Sequence, residues 1–237
     1  MQLVLSDFFA RKKLYLTLVS VFILSVFILT IPISIYSTIS DKSFVNYLGI
    51  GVYDIRIDLS DTAKNEEKLQ ALLNDLEKDS HVDKFEIYTG KLVDYKTDEG
   101  ERQKLRIDAG KQESFPIKYI SGFSPLDDNE IALSKLSSDE FSKKEGDSIT
   151  LLIGEEEKTV RVSGIYSDLT NVGKTAKTNF KIDEGDSKWT VIPVKLHESS
   201  YSKDFLKEYE QRYFFARFAD TETYLKQIFG STIDIFI

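Results

Sequence analysis

Residues 14–36 read LYLTLVSVFILSVFILTIPISIY and include no charged side chain. As a helix the stretch spans roughly 34 Å, against a bilayer hydrocarbon core roughly 30 Å thick. Every face would carry Leu, Val, Ile or Phe, a surface that water opposes and lipid accepts. The hydroxyls of Thr17, Ser20, Ser25, Thr30 and Ser34 can bond back to the preceding turn. The stretch is therefore read as a transmembrane helix, preceded by a cytoplasmic segment 1–13 and followed by a lead-out 37–46.

Arg11, Lys12 and Lys13 abut the start of the run, whereas Asp41 and Lys42 nearly cancel beyond its end. The positive-inside bias then places the N-terminus in the cytoplasm and everything after Tyr36 outside the cell membrane. A cleaved signal would need a shorter apolar region ending in small residues, and residues 33–40 offer no Ala-x-Ala. The expectation is an uncleaved, single-pass anchor. Residues 2–10, QLVLSDFFA, read either as a frayed terminus or as a short interfacial helix.

Beyond residue 40 the chain carries 28 basic and 38 acidic residues, a net −10. Nucleic acid needs clustered positive charge, so it is not an expected partner, nor is this domain expected to lie flat on anionic lipid. There is no cysteine, which excludes a disulfide framework, a thiolate metal site and a cysteine nucleophile. The outer domain has to hold together by its core, and about 200 residues suffice for that.

Alternation sets the pattern of that domain. Tyr53–Leu59 and Val82–Tyr88 read as strands around a helix, Thr62–Lys78, capped by Ser60 or Asp61 and striped with Leu69, Leu72, Leu73 and Leu76. Strands follow at 104–108, 116–123, 148–153 and 158–166, the last two joined as a hairpin. Residues 169–181 read as a polar loop. Residues 188–194 form a strand whose Pro193 suggests an edge or an end. A helix at 202–211, a strand at 212–218 and a helix at 221–229, capped by Asp220 and stopped by Gly230, complete the chain. The fold class is α+β: a layered core domain from 47–123 and 188–230, a small inserted β-rich subdomain from 124–187, and a stub at 231–237.

No arrangement points to catalysis. His81 and His197 lack a second His or Cys at metal spacing. Gly173-Lys174-Thr175 resembles the end of a phosphate loop, but Asp168 stands where that loop needs a glycine. Asp127, Asp128 and Glu130 lack the alternation and central glycine of a calcium loop and read as a solvated turn. No Gly-x-Ser-x-Gly is present. Tyr213, Phe214, Phe215 and Phe218 suit core packing better than a groove. No catalytic, cofactor or metal site is expected, the substrate-binding residues stay undefined, and the chain reads as no enzyme.

Three segments nevertheless form a recognisable pattern: NEIALS before a short helix, EGDSITL as turn then strand, and KTVRVSGIYSD closing the hairpin. Together with the basic cluster before the long apolar helix and the final ARFADTETYLKQI, this resembles the first membrane helix and extracytoplasmic core domain of MacB/FtsX-type ABC transporter permeases. The resemblance implies a non-catalytic subunit whose outer domain transmits movement. That movement would serve export of a peptide-like or amphiphilic substrate, or signalling. It also implies a cytoplasmic ABC ATPase as partner and pairing with another permease chain. Such permeases have four membrane helices, whereas only STIDIFI follows Gly230. The expectation is a truncated or split permease, whose missing helices would have to come from elsewhere. The alternative is a single-pass anchored binding or regulatory domain that controls a wall enzyme or senses a peptide.

Overall fold

In a computed structural model, described for residues 11–39, 42–61, 65–97, 100–154, 156–168, 170–181 and 188–229, the apolar stretch is one helix, α1 (Lys12–Ile39). Its hydroxyls bond to carbonyls four residues earlier: Thr17 to Lys13 and Ser20 to Leu16 at 2.9 Å, Ser25 to Val21 at 2.8 Å, and Thr30 to Val26 at 2.7 Å. Those polar groups are thus satisfied without water. The span Lys12–Ser34 is long and apolar enough to cross a membrane. The expected segments at 2–10 and 231–237, and the stop at Gly230, lie outside the described residues.

From Val45 onward the chain forms a separate compact unit. Its strands are β1 (Ile55–Ser60), β2 (Val82–Phe85), β3 (Tyr88–Lys96), β4 (Arg102–Ala109), β5 (Tyr119–Gly122), β6 (Glu130–Ser134), β7 (Ser148–Ile153), β8 (Glu156–Tyr166), β9 (Thr175–Thr178), β10 (Trp189–Leu196) and β11 (Arg217–Asp220). Its helices are α2 (Glu66–Lys78), α3 (Lys135–Glu140), α4 (Ser202–Arg212) and α5 (Thr221–Phe229). The expected α+β class is what this unit shows.

Two hydrophobic cores organise it. The first is a layer. β2, β10, β1 and β11 form an antiparallel sheet. Alternation in β1 sends Ile55, Ile57 and Leu59 to one face, where Leu69, Leu72 and Leu76 of α2 and Phe205 and Tyr209 of α4 meet them. The second is a closed barrel. β3 pairs with β4, β4 with β9, β9 with β6, β6 with β8, β8 with β7, and β7 returns to β3. A barrel this small is filled by its own inward side chains, here Leu105, Ile107, Ile131, Leu133, Leu151 and Val162. Phe141 stacks on Tyr95 at 4.1 Å within the same core. The barrel takes in β3 and β4 as well as strands from the 124–187 stretch, so the sequence division at residue 124 runs through it.

β3 belongs to both bodies. Tyr88, Thr89 and Gly90 pair with β10, and Asp94, Tyr95 and Lys96 pair with β7.

Several local expectations change. The α2 cap is Asn65, without a side-chain cap bond, rather than Ser60 or Asp61. The strand expected over 82–88 breaks at Glu86, whose carboxylate leaves the ladder to accept Ser114 N–H at 2.6 Å and the Tyr88 hydroxyl. The polar loop 169–181 contains β9, which is buried. Its threonines are satisfied internally: Thr178 Oγ1 donates to Glu130 O at 2.9 Å, and Thr175 Oγ1 meets Tyr166 Oη at 2.8 Å. β10 is interior rather than an edge. The Pro193 carbonyl accepts from Glu86 N–H at 3.3 Å, so its donor-less nitrogen faces the break between β2 and β3. The strand expected at 212–218 begins only at Arg217.

Leu72 is fully buried in the first core, whereas Leu92 is 52% exposed. Leu72→Ala is expected to cost roughly 2–5 kcal/mol, and Leu92→Ala under about 0.5 kcal/mol. Unfolding of the detergent-solubilised chain, followed by its single tryptophan, checks both.

Candidate functional site

The residues singled out by sequence fall apart in space. His81 Nδ1 bonds Asp79 at 2.9 Å and its ring stacks on Tyr201 at 4.0 Å, while His197 lies 3.7 Å from Asp83. Both are therefore engaged near the end of β2. Gly173-Lys174-Thr175 is a latch rather than a phosphate cradle. Ser134 Oγ donates to the Gly173 carbonyl at 2.5 Å, and Lys174 pairs with Glu140 at 2.7 Å. Asp127 accepts Asn129 N–H at 2.7 Å, and Glu130 accepts Leu126 N–H at 2.9 Å and Arg161 at 3.0 Å. Among the described residues no group of three His, Cys, Asp or Glu is placed to hold a metal.

The family-like segments prove to be folding signals. NEIALS forms β6 and ends on Ser134, whose hydroxyl accepts Ser137 N–H at 3.2 Å and so caps α3. KTVRVSGIYSD belongs to β8, where a Cβ at Gly164 would lie 2.5 Å from Phe123 O. In ARFADTETYLKQI, Asp220 caps α5 by accepting Thr223 N–H at 2.6 Å.

What the fold does bring together is the first strand of the domain and its last strand and helix. Ile55 at the start of β1 pairs with Asp220 at the end of β11. Thr221 donates its hydroxyl to Tyr53 O at 2.6 Å and its N–H to Asp54 O at 3.1 Å. Asp54 accepts from Ser199 Oγ at 2.6 Å, Leu196 N–H at 2.9 Å and Lys195 Nζ at 3.1 Å. On the opposite face of β1 from its buried Ile residues, Arg56 forks onto Asp58 at 2.8–3.0 Å and lies 4.4 Å from the centre of the Tyr224 ring. α5 is thereby pinned to the strand through which the chain enters the domain.

A second joint links layer to barrel. Trp189 of β10 donates Nε1–H to Asp108 of β4 at 2.8 Å, and the Arg106 guanidinium lies 3.6 Å from its ring centre. The indole occupies the space over Gly90, where a Cβ would lie 1.6 Å from Nε1. Any larger residue at 90 would displace the tryptophan.

Beside the first and last strands lies an open groove of about 360 Å³, lined by Asp58, Glu210, Phe214, Arg217, Phe218 and Gln227. Tyr213 is buried and Phe215 and Phe218 pack against the first core, but Phe214 is 84% exposed. Nothing in the alternating pattern distinguishes Phe214 from its neighbours; the turn at 214–215 does.

No family model matches the sequence, and no curated protein does. Solved structures do. The chain is similar to the periplasmic region of MacB from Actinobacillus actinomycetemcomitans, at 13% identity and a TM-score of 0.50, covering 78% of this chain and 96% of that one. It also matches a domain of a putative permease protein from Porphyromonas gingivalis, at 9% identity and a TM-score of 0.43, covering 71% and 88%. A third match is the extracellular domain of the noncanonic ABC-type transporter YknZ from Gram-positive bacteria, at 10% identity and a TM-score of 0.45, covering 68% and 89%. The first match shows that the domain beyond α1 has the MacB-like fold the sequence pattern resembles.

Burial alone would raise the Asp54 pKa, but the bonds from Ser199, Leu196 and Lys195 outweigh it and hold the carboxyl below its ordinary value. A carboxyl depressed in the folded state contributes stability above its unfolded pKa of about 4, and loses it as pH falls through the folded value. Asp54→Asn is expected to destabilise the chain by roughly 1–3 kcal/mol at pH 7 and to flatten its acid limb below about pH 4. Melting curves across that range check the sign.

Proposed function

We propose that this chain is a non-catalytic membrane subunit of a MacB/FtsX-like ABC transporter permease. α1 crosses the cell membrane with Arg11–Lys13 on the cytoplasmic side, and the outer domain transmits movement. The observation that carries this reading is the MacB-like fold following a helix of membrane-crossing length. The bonded first and last strands add a physical route. A shift of the segment before β1 acts directly on β1 and, through Thr221 and Tyr224, on α5. From β1 it passes to β10, and from β10 through three residue pairs and the Trp189 joint to the barrel. In this reading the layer and the β-rich part at 124–187, extended by β3 and β4, are the two bodies whose relative position responds.

The implied partners are a cytoplasmic ABC ATPase and another permease chain or further helices of the same permease. The cargo is a peptide-like or amphiphilic molecule, or else the movement itself is a signal. Phe214 and its groove supply an apolar contact for a neighbour in such an assembly.

The chain has no cysteine, so a single one placed at the exposed turn residue Asp128 is a unique reporter. With Asp128→Cys, a membrane-impermeant maleimide is expected to label intact cells, and gentle solubilisation to recover an ABC ATPase with the chain. Labelling only after permeabilisation would reverse the orientation. Labelling from outside with no ATPase recovered would favour the anchored binding domain.

A further inference from the structure

Next to the Trp189 joint, the cavity bounded by β1, β3, β4, β9, β10, Thr170 and the loops at 49–51 and 112–117 has a volume of about 40 Å³. That is room for on the order of three waters. Its polar lining is Tyr53, Arg56, Tyr88, Asp108, Gln112, Thr170 and Lys177. Two of these groups, Lys177 and Tyr53, are donors without an acceptor among the described residues. Lys177 is only 8% exposed and its ammonium carries three N–H donors. Among the described residues it has no hydrogen bond or ion pair, only the rings of Tyr166 at 5.4 Å and Tyr88 at 5.9 Å. Tyr53 is 6% exposed, and its hydroxyl is without a partner among the described residues. Its neighbour Arg56 can only donate, and is already forked onto Asp58. The Gln112 amide oxygen is unbonded too, and a half-turn of that amide offers N–H groups instead.

The carboxylates nearby are occupied. Asp108 accepts from Trp189 and faces Arg106 at 3.6 Å. Asp168, which attracts Lys177 without reaching ion-pair distance, accepts Thr170 N–H at 2.6 Å and the Thr175 hydroxyl. A buried ammonium whose hydrogens lack acceptors is costly, and so is an orphaned buried hydroxyl. One small acceptor carrying negative charge would satisfy both.

We infer that this cavity is a binding site for one small monovalent anion of chloride or formate size, held by Lys177 Nζ and the Tyr53 hydroxyl. A cavity with room for a few waters favours a small anion over a bulky organic one. This inference does not depend on the transporter reading, because it concerns only the interior beside the joint. Occupancy there would stiffen the contact between layer and barrel, since Tyr53 precedes β1 and Lys177 lies in β9.

The test uses the full-length chain in detergent, with thermal unfolding followed by Trp189 fluorescence. Sodium chloride or formate is titrated against sodium gluconate at constant ionic strength. The expected result is a saturable rise in melting temperature with chloride and formate and none with gluconate. Lys177→Met keeps the apolar stem and should weaken the apparent anion affinity by about tenfold or more. Tyr53→Phe should weaken it several-fold while leaving the protein folded, which covers the case that Lys177→Met fails to fold. Lys96→Met, at an exposed lysine, should leave the titration unchanged. The inference is overturned by equal responses to small and bulky anions, by no response in the wild-type chain, or by an unaltered titration in Tyr53→Phe.

Discussion

The constraint on which the rest of this domain depends is the double use of β3. Its first residues complete the layer through β10, and its last residues close the barrel through β7. A strand has two edges, and β3 gives one of them entirely to β4. The other edge is divided between two partners, so the hydrophobic interiors of layer and barrel are joined by a continuous backbone ladder. The glycine at 90 makes this possible, because Trp189 fills the space a side chain would take. A half-buried indole held by Asp108 and capped by Arg106 then fastens the joint.

The first and last strands of the domain lie side by side. β1 and β11 are neighbours, so the chain enters and leaves the domain through one short antiparallel ladder. Asp54 gathers β10 and the turn that leads into α4 at the same point, and Arg56 holds α5 against the opposite face. The first and last strands of the domain are thus tied to the centre of the layer by ladder and side-chain bonds.

Much of this was legible in the sequence wherever burial follows a regular period. The alternation of β1, the leucine stripe of α2 and the turn-then-strand signals around Gly146 all have apolar or conformational signatures. β9 was not legible, because its buried residues include Thr175 and Thr178, which are satisfied by hydrogen bonds instead of apolar contact, and Lys177 between them breaks any apolar alternation. The break between β2 and β3 was hidden because it goes with a bond from Ser114 N–H to the Glu86 carboxylate, a contact that exists only in three dimensions. Pro193 misled for a related reason: it sits inside the sheet, but opposite that break. Lys177 and Tyr53 gave no signal at all, since neither spacing nor composition shows which donors will share a cavity. The MacB-like pattern was readable because its segments are turns and caps, and these are fixed locally.

The closure of the barrel along β3 is tested most directly by a cross-link. Asp94 and Leu152 are register partners across β3 and β7. Ladder partners approach closely enough for a disulfide, and the chain has no native cysteine to compete. With Asp94→Cys and Leu152→Cys together, mild oxidation of the folded protein should give an intramolecular disulfide, detected by mass after digestion. Asp94→Cys with Ile153→Cys, whose side chains point to opposite faces, should remain reduced under the same conditions. Equal cross-linking of both pairs, or of neither, would mean that β7 does not return to β3 and that the two bodies are not joined as described.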